Sequence, residues 1–281
     1  MIFPEAAHEP ALQLAAKLLK GVGKGWAQRV FFSDNGSTAI EVALKMAFRE
    51  SEVKAAQRGE PKQPPSKGSF TVLGIEGSYH GDTIGSMQAA SPNIFNEKTH
   101  WYHPRGLWLP SPTISLKKGT FVVEHPDHSK TESFKSLTEI FSEHRNRSAS
   151  YAAHVEAITK AIADEEERGA HLGALLIEPV IHGSGGMVFI DPLFQRALVR
   201  VCKRRGIPVI YDEVFVGLYR LGPETTSTLL HEKPDIACYA KLLTGGITPI
   251  AATLTTEVFL PLTSSFCGSL KCPPLKTAEC V

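Results

Sequence analysis

The sequence predicts an α/β fold: a three-layer αβα domain around a mostly parallel central sheet. Three observations carry this. Apolar runs of strand length alternate with segments at helical spacing along most of the chain. Two of those runs, 173–179 and 207–211, are nearly continuous in apolar residues, as expected of strands covered on both faces. Residues with chemical potential stand just after predicted strands, where open parallel sheets gather ligands.

In chain order, Leu12, Ala15, Ala16 and Leu19 mark a first helix that stops at Gly21-Val22-Gly23. A short strand, Arg29 to Ser33, runs into Asp34-Asn35-Gly36-Ser37-Thr38, and a helix is predicted over 39–49 with Ile40, Ala43, Leu44 and Ala47 on one face. Thr38 and Glu41 have the spacing of a capping box. Residues 51–68, rich in Lys, Gln and Pro, predict a surface loop. The strand 71–75 leads into Gly77-Ser78-Tyr79-His80-Gly81-Asp82, and 91–135 is expected to form long, partly ordered loops. Residues 151–169 form an amphipathic helix, and the strand 173–179 ends at Glu178-Pro179. A helix over 191–205 precedes the strand 207–211, which closes at Asp212-Glu213, and the short strand 236–239 precedes Lys241. Residues 264–281 lack periodicity and hold three of the chain's five cysteines, so they are expected to fall outside the native domain.

Composition narrows the function classes. The 281 residues are 42% hydrophobic and 21% charged, with a formal net charge of +1. That balance gives no electrostatic case for nucleic acid or an anionic membrane. No apolar run approaches the length of a membrane span. The cysteines include no Cys-x-x-Cys pair, which argues against a disulfide framework or a zinc site and for a reducing, intracellular compartment. The start, Met-Ile-Phe-Pro-Glu-Ala-Ala, lacks the flank and core of a signal peptide and reads as the interior of a longer protein.

Each candidate residue has an ordinary role beside its chemical one. Lys241, before Leu-Leu-Thr-Gly-Gly, is either a turn lysine or an amine poised for a carbonyl. Asp212 is a helix cap, a metal ligand with Glu213, or the partner of a protonated ring nitrogen. Gly36, Ser37 and Thr38 either cap a helix or seat a phosphate on its N-terminus. Tyr79 and His80 pack a turn or stack on a planar group. Glu178 ends a strand ahead of the glycine-rich His182-Gly183-Ser184-Gly185-Gly186. No Gly-x-Ser-x-Gly elbow or P-loop is present, and no metal site is predicted.

Taken together, Asp34-Asn35-Gly36-Ser37-Thr38-Ala39, Gly77-Ser78-Tyr79-His80-Gly81-Asp82-Thr83, Glu178-Pro179, Tyr211-Asp212-Glu213-Val214 and Lys241-Leu242-Leu243-Thr244-Gly245-Gly246 resemble the class III aminotransferases. The likeness covers roughly residues 1–262. Gly36 to Ala47 and the Leu-Thr-Gly-Gly…Ala-Thr-Leu-Thr-Thr-Glu segment look most like the adenosylmethionine–8-amino-7-oxononanoate aminotransferase branch in its fungal and plant forms. The resemblance implies a pyridoxal 5′-phosphate (PLP) cofactor held by Lys241, which also shuttles the proton. It implies Asp212 at the ring nitrogen, Gly36, Ser37 and Thr38 at the phosphate, and Tyr79 with His80 on one ring face. Val214 would cover the other face, with Glu178 the acidic residue nearby. It further implies small-molecule amino donor and acceptor substrates, a homodimer, a possible fusion to a dethiobiotin synthetase, and a mitochondrial or cytoplasmic site. The family's small C-terminal domain is expected to be missing, with activity impaired. Another class III aminotransferase, a racemase of the same fold, or a non-catalytic fragment remain the alternatives.

Overall fold

The computed structural model describes residues 8–57, 70–128 and 130–257. Helix α1 spans Glu9–Lys20, and strand β1, Arg29–Ser33, leads to α2, Gly36–Gln57. Strand β2 is Phe70–Ile75 and the short α3 is Ile84–Gln88. Four strands follow: β3 (Gly106–Leu109), β4 (Thr113–Lys117), β5 (Thr120–Glu124) and β6 (Thr131–Phe134). After α4 (Leu137–Phe141) and α5 (Ala149–Glu167) come β7 (His171–Ile177), β8 (Ile181–His182) and β9 (Val188–Ile190). Helix α6 (Pro192–Arg204), β10 (Val209–Asp212), α7 (Ser227–Leu230), β11 (Ile236–Tyr239) and β12 (Ala251–Thr255) complete the series.

The main sheet has seven strands in the order β1-β12-β11-β10-β7-β2-β3. The run from β11 to β3 is parallel throughout, and β12 lies antiparallel between β11 and β1. Strand alternation divides the core in two. Ile210, Leu176, Val72 and Ile236 face α2, packing on Ala39, Ile40, Ala43 and Ala47. Tyr211, Leu175, Ile177 and Ala237 face the opposite way, onto Ile158 and Ile162 of α5 and Ala197 and Leu198 of α6. The predicted three-layer αβα domain with a mostly parallel sheet is what forms. Burying each of the larger aliphatics contributes about 1.5–3 kcal/mol, and the small residues of α2 let that helix lie close on the sheet.

Three expectations need correction. Helix α2 continues through Gln57, so residues 51–57 are helical and not loop; residues 58–68 lie outside the described residues. Glu50–Lys54 (3.2 Å) and Arg49–Glu52 (2.8 Å) ion pairs brace the extension, and the buried Ser51 hydroxyl donates to the Gly173 carbonyl. The Lys/Gln/Pro bias belongs to the segment beyond, and averaging the two hid the helix. Second, 91–135 is not mainly loop: it supplies β3 to the main sheet and three strands of a five-stranded sheet, β6-β5-β4-β9-β8. These strands are short, and the β4–β5 hairpin turns on Lys118-Gly119, both at positive φ. Such a turn favours Asn-Gly or Asp-Gly, so Lys118 concealed it. Third, β12, next to the site, has no counterpart in the predicted strands. The segment 263–281 lies outside the described residues, as do Cys267, Cys272 and Cys280.

A core histidine gives a stability prediction. His154 of α5 is buried, stacks on His125 with centroids 5.5 Å apart, and has no partner for Nε2. Burial above all pulls its pKa from 6.5 down to about 4. An unfolded chain protonates this imidazole near 6.5 while the fold resists it, so its contribution is complete above that pH and is lost as pH falls towards 4. The loss amounts to about 3 kcal/mol at most. His154→Phe should remove that component. Urea midpoints at pH 7 and 4.5 should differ less in the variant than in the native chain, and an unchanged difference would count against this assignment.

Candidate active site

Four neighbouring parallel strands each deliver one candidate residue at their carboxyl ends. In sheet order β11, β10, β7 and β2 lead to Lys241, Asp212, Glu178 and Tyr79. Registers Ile177↔Tyr211 and Asp212↔Cys238 keep these ends level. They open into a cavity of about 390 Å³. Of the residues expected from the sequence, Gly36, Ser37, Tyr79, His80, Glu178, Asp212, Val214 and Lys241 all line it. Thr38 does not.

Asp212 is 4% exposed. One carboxylate oxygen lies 2.8 Å from Nδ1 of His80, and the other accepts the Val214 N–H at 3.1 Å. His80 is equally buried, and its Nε2 has no partner. A carboxylate so fixed and desolvated is suited to a cationic group in the cavity. Glu213, its neighbour, turns away: its carboxylate accepts from the hydroxyls of Thr225 (2.6 Å) and Thr226 (2.7 Å) and from the Thr226 N–H. The two acids do not converge as metal ligands would. Burial, then the loss eased by those threonines, leaves Glu213 pushed up to about 7.

Lys241 follows β11 directly, in a 3-10 turn, Lys241–Leu243, with φ of 47°. A non-glycine residue in the left-handed region stores about 1–3 kcal/mol of strain, here at an exposed amine on the cavity wall. Tyr79 stands on the β2 side, edge-on to Phe95 with centroids 5.1 Å apart. Burial first, then the hydrogen bond to Asp82 and surrounding carboxylates, raises its phenol pKa, so it remains a neutral donor. Glu178 is pushed up to about 7 by burial and the Asp212 charge. His182 behind it is pulled down to about 4 by burial and by His80.

The amino end of α2 supplies the remaining wall. Asn35 is the cap: its side-chain oxygen accepts the Thr38 N–H at 3.0 Å and its carbonyl accepts that of Ala39 at 3.1 Å. The Thr38 hydroxyl lies 2.7 Å from Asp34 and within the same turn. The expected Thr38–Glu41 capping box is absent, because Glu41 instead accepts the Gly85 N–H at 2.9 Å. With Thr38 and Ala39 amides engaged, Gly36 and Ser37 present the helix end to the cavity, a seat for an anion. Ser37 also accepts the Asp82 N–H at 3.2 Å, joining this turn to the Tyr79 loop.

Glycines keep the cradle open. A Cβ on Gly36 would come within 2.8 Å of Val214, and one on Gly81, where φ is 120°, would meet the Ser37 hydroxyl at 2.0 Å. Gly81→Ala should therefore displace Ser37 and add backbone strain, at a cost of about 2 kcal/mol or more. Urea denaturation checks this, and a variant as stable as the native chain would contradict it.

Asp34, Asn35, Ser184, Phe215 and Thr244 also line the cavity; the first three and Thr244 stand in motifs quoted above without a site role, and Phe215 in none. Asn35 was legible as a cap one residue before Gly36. Phe215 carries no such signal; the Arg220 guanidinium lies 4.4 Å over its ring. An amine, a buried acid, an aromatic ring, an aliphatic side chain and an anion seat in one cavity fit a flat, anionic cofactor that bears a carbonyl. The unpartnered His80 Nε2 and the glycine cradle are consistent with that fit.

Comparison with known proteins follows the same lines. The family model "Aminotransferase class-III" matches residues 1–269. A mitochondrial bifunctional dethiobiotin synthetase/7,8-diamino-pelargonic acid aminotransferase of Oryza sativa is 50% identical over 92% of this chain and 33% of its own. The bifunctional dethiobiotin synthetase/adenosylmethionine-8-amino-7-oxononanoate aminotransferase of Emericella nidulans is 40% identical over 94% and 36%. In Synechococcus elongatus, an adenosylmethionine-8-amino-7-oxononanoate aminotransferase is 33% identical over 95% and 52%. The chain thus spans about a third of the bifunctional relatives and about half of the cyanobacterial one. Among solved structures, an amine transaminase from an uncultivated Pseudomonas species, in its PLP-bound form, superposes with a TM-score of 0.69. It is 25% identical and covers 96% of this chain and 53% of its own.

Proposed function

The chain belongs to the class-III aminotransferase family, and from that premise we propose that its cavity binds pyridoxal 5′-phosphate and serves amine transfer. The carrying observation is that Lys241, Asp212, Tyr79 and the Gly36–Ser37 turn line one cavity at the level ends of adjacent strands. When bound, the cofactor supplies a carbonyl that condenses with amines and a ring that draws electron density from a carbanion.

The chain's own residues supply the rest. Lys241 would anchor the cofactor through its amine, and the same amine would take and return the proton at the substrate carbon. Asp212, held by His80 and Val214, keeps the ring nitrogen protonated. The Gly36 and Ser37 amides hold the phosphate, with Thr38 shaping the turn from outside the cavity. Tyr79 and Val214, which line the same cavity, would pack against the ring. Residues 1–262 constitute the large, cofactor-binding domain.

We assign the substrate pair from the relatives' names: S-adenosylmethionine as amino donor and 8-amino-7-oxononanoate as acceptor, which gives 7,8-diaminononanoate. Identities of 50%, 48% and 40% to plant and fungal bifunctional proteins support that choice. The same relatives support a fusion to dethiobiotin synthetase in the parent protein, and the plant pair a mitochondrial location. A homodimer is the assembly we propose. No described helix is long and apolar enough to cross a membrane.

The test is product formation with PLP, 8-amino-7-oxononanoate and a panel of donors. Diamine should appear with S-adenosylmethionine, require PLP and vanish in Lys241→Ala. Transfer to a different acceptor, with none to this one, would overturn the substrate assignment and leave the cofactor reading intact.

A further inference from the structure

Glu178 lines the cavity, yet its carboxylate is taken up elsewhere. It stands one residue past β7, between the strand ends that carry Asp212 and lead to Tyr79, and is 3% exposed. One oxygen accepts the Tyr79 N–H at 2.9 Å, and the other accepts the Gly183 N–H at 3.0 Å. The two loops so joined also meet directly, since a Cβ on Gly185 would lie 2.1 Å from the Gly77 carbonyl oxygen. Beyond Gly183 is Phe215, whose ring would be 2.7 Å from a Cβ placed there and which also lines the cavity. The backbone of Glu178 is itself braced. Gln195, fully buried, donates to the Glu178 carbonyl at 2.9 Å and accepts the Val180 N–H at 2.7 Å.

We propose that Glu178 is a positioning residue: its carboxylate fastens the Tyr79 loop to the Gly183 loop and so fixes where Tyr79 stands in the cavity lining relative to the Gly183–Phe215 contact. The resemblance marks it only as an acidic residue near the cofactor; the geometry gives it work on the protein's backbone instead. A carboxylate suits this because both of its oxygens accept. Glutamine offers one acceptor and would turn its NH2 towards the other N–H, and aspartate is one methylene too short to keep both contacts. A second acid buried beside Asp212 is costly to ionise, and in its ionised form two charge-assisted hydrogen bonds offset that cost.

The catalytic consequence rests on the PLP reading above, but the clasp itself does not. Amide hydrogen exchange on the full chain without cofactor reads it directly. In Glu178→Ala the Tyr79 and Gly183 amides should exchange about 10- to 100-fold faster, the loss expected for hydrogen bonds to a charged acceptor. Amides of Leu176 and Ile210 in the adjoining strands should not change. Glu178→Gln should speed exchange at one of the two amides, and it decides the matter if the alanine variant does not fold. The Kd for PLP should rise about tenfold in Glu178→Ala through the displaced Tyr79. Unchanged exchange at both amides, or acceleration spread equally through β7 and β10, would overturn the proposal. If neither native nor variant chain takes up PLP, the exchange result still decides the clasp, and the cofactor reading alone fails.

Discussion

Lys241→Ala is expected to abolish covalent capture of PLP and to lower amine transfer by about 10⁴-fold, the upper range for a lost general acid–base group. The native chain, reduced with borohydride in the presence of PLP, should carry the cofactor's mass on the peptide containing Lys241, and the variant should carry none. Lys241→Arg should fail equally, because a guanidinium stays protonated and does not condense with a carbonyl. The fold should hardly notice. Lys241 is exposed, and alanine inherits the same positive φ, so the urea midpoint should move by no more than about 0.5 kcal/mol in stability. That separation of chemistry from folding is what distinguishes an anchoring amine from a turn lysine.

Asp212→Asn should cost about 10²–10³-fold in kcat/KM, the scale of losing a preorganised charge at a reacting group. The native carboxylate accepts from His80 with one oxygen and from the Val214 N–H with the other. An amide can keep the Val214 bond through its oxygen and donate to His80 only if that ring moves its proton to Nε2, and it no longer balances a protonated ring nitrogen. A second effect follows from the same charge. Asp212 is the largest contributor after burial to the raised pKa of Glu178, now about 7, and it also raises that of Tyr79. In Asp212→Asn both should move back towards their ordinary values, which a carboxyl titration followed by infrared difference spectroscopy or NMR checks. Glu178 remaining near 7 would place the cause in burial alone.

The site was more legible in this sequence than the periphery of the fold. Asp212, Lys241, Glu178 and Tyr79 each close a strand or follow one, and a parallel sheet brings such ends to one side. Their order along the chain therefore predicts their meeting, provided the strands are found. Of the five strands that were found, the two plainest, 173–179 and 207–211, are buried on both faces and read as apolar runs. What escaped is more polar or built of smaller side chains. The β4–β5–β6 meander has half-buried faces and a Lys-Gly turn, and β12 is Ala-Ala-Thr-Leu-Thr, with a single large apolar residue. Glu178 and the Tyr79 amide it holds are 99 residues apart in the chain. No local pattern reports a side chain reaching a distant amide. The Thr38–Glu41 spacing misled for a related reason: Glu41 found a partner on another segment, Gly85.

A crystal structure of the chain with PLP bound should show the cofactor joined to Lys241, its ring nitrogen against the Asp212 carboxylate and its phosphate on the Gly36–Ser37 amides, with Tyr79 and Val214 on opposite ring faces. A cofactor attached through another lysine, or a ring nitrogen facing away from Asp212, would contradict this placement.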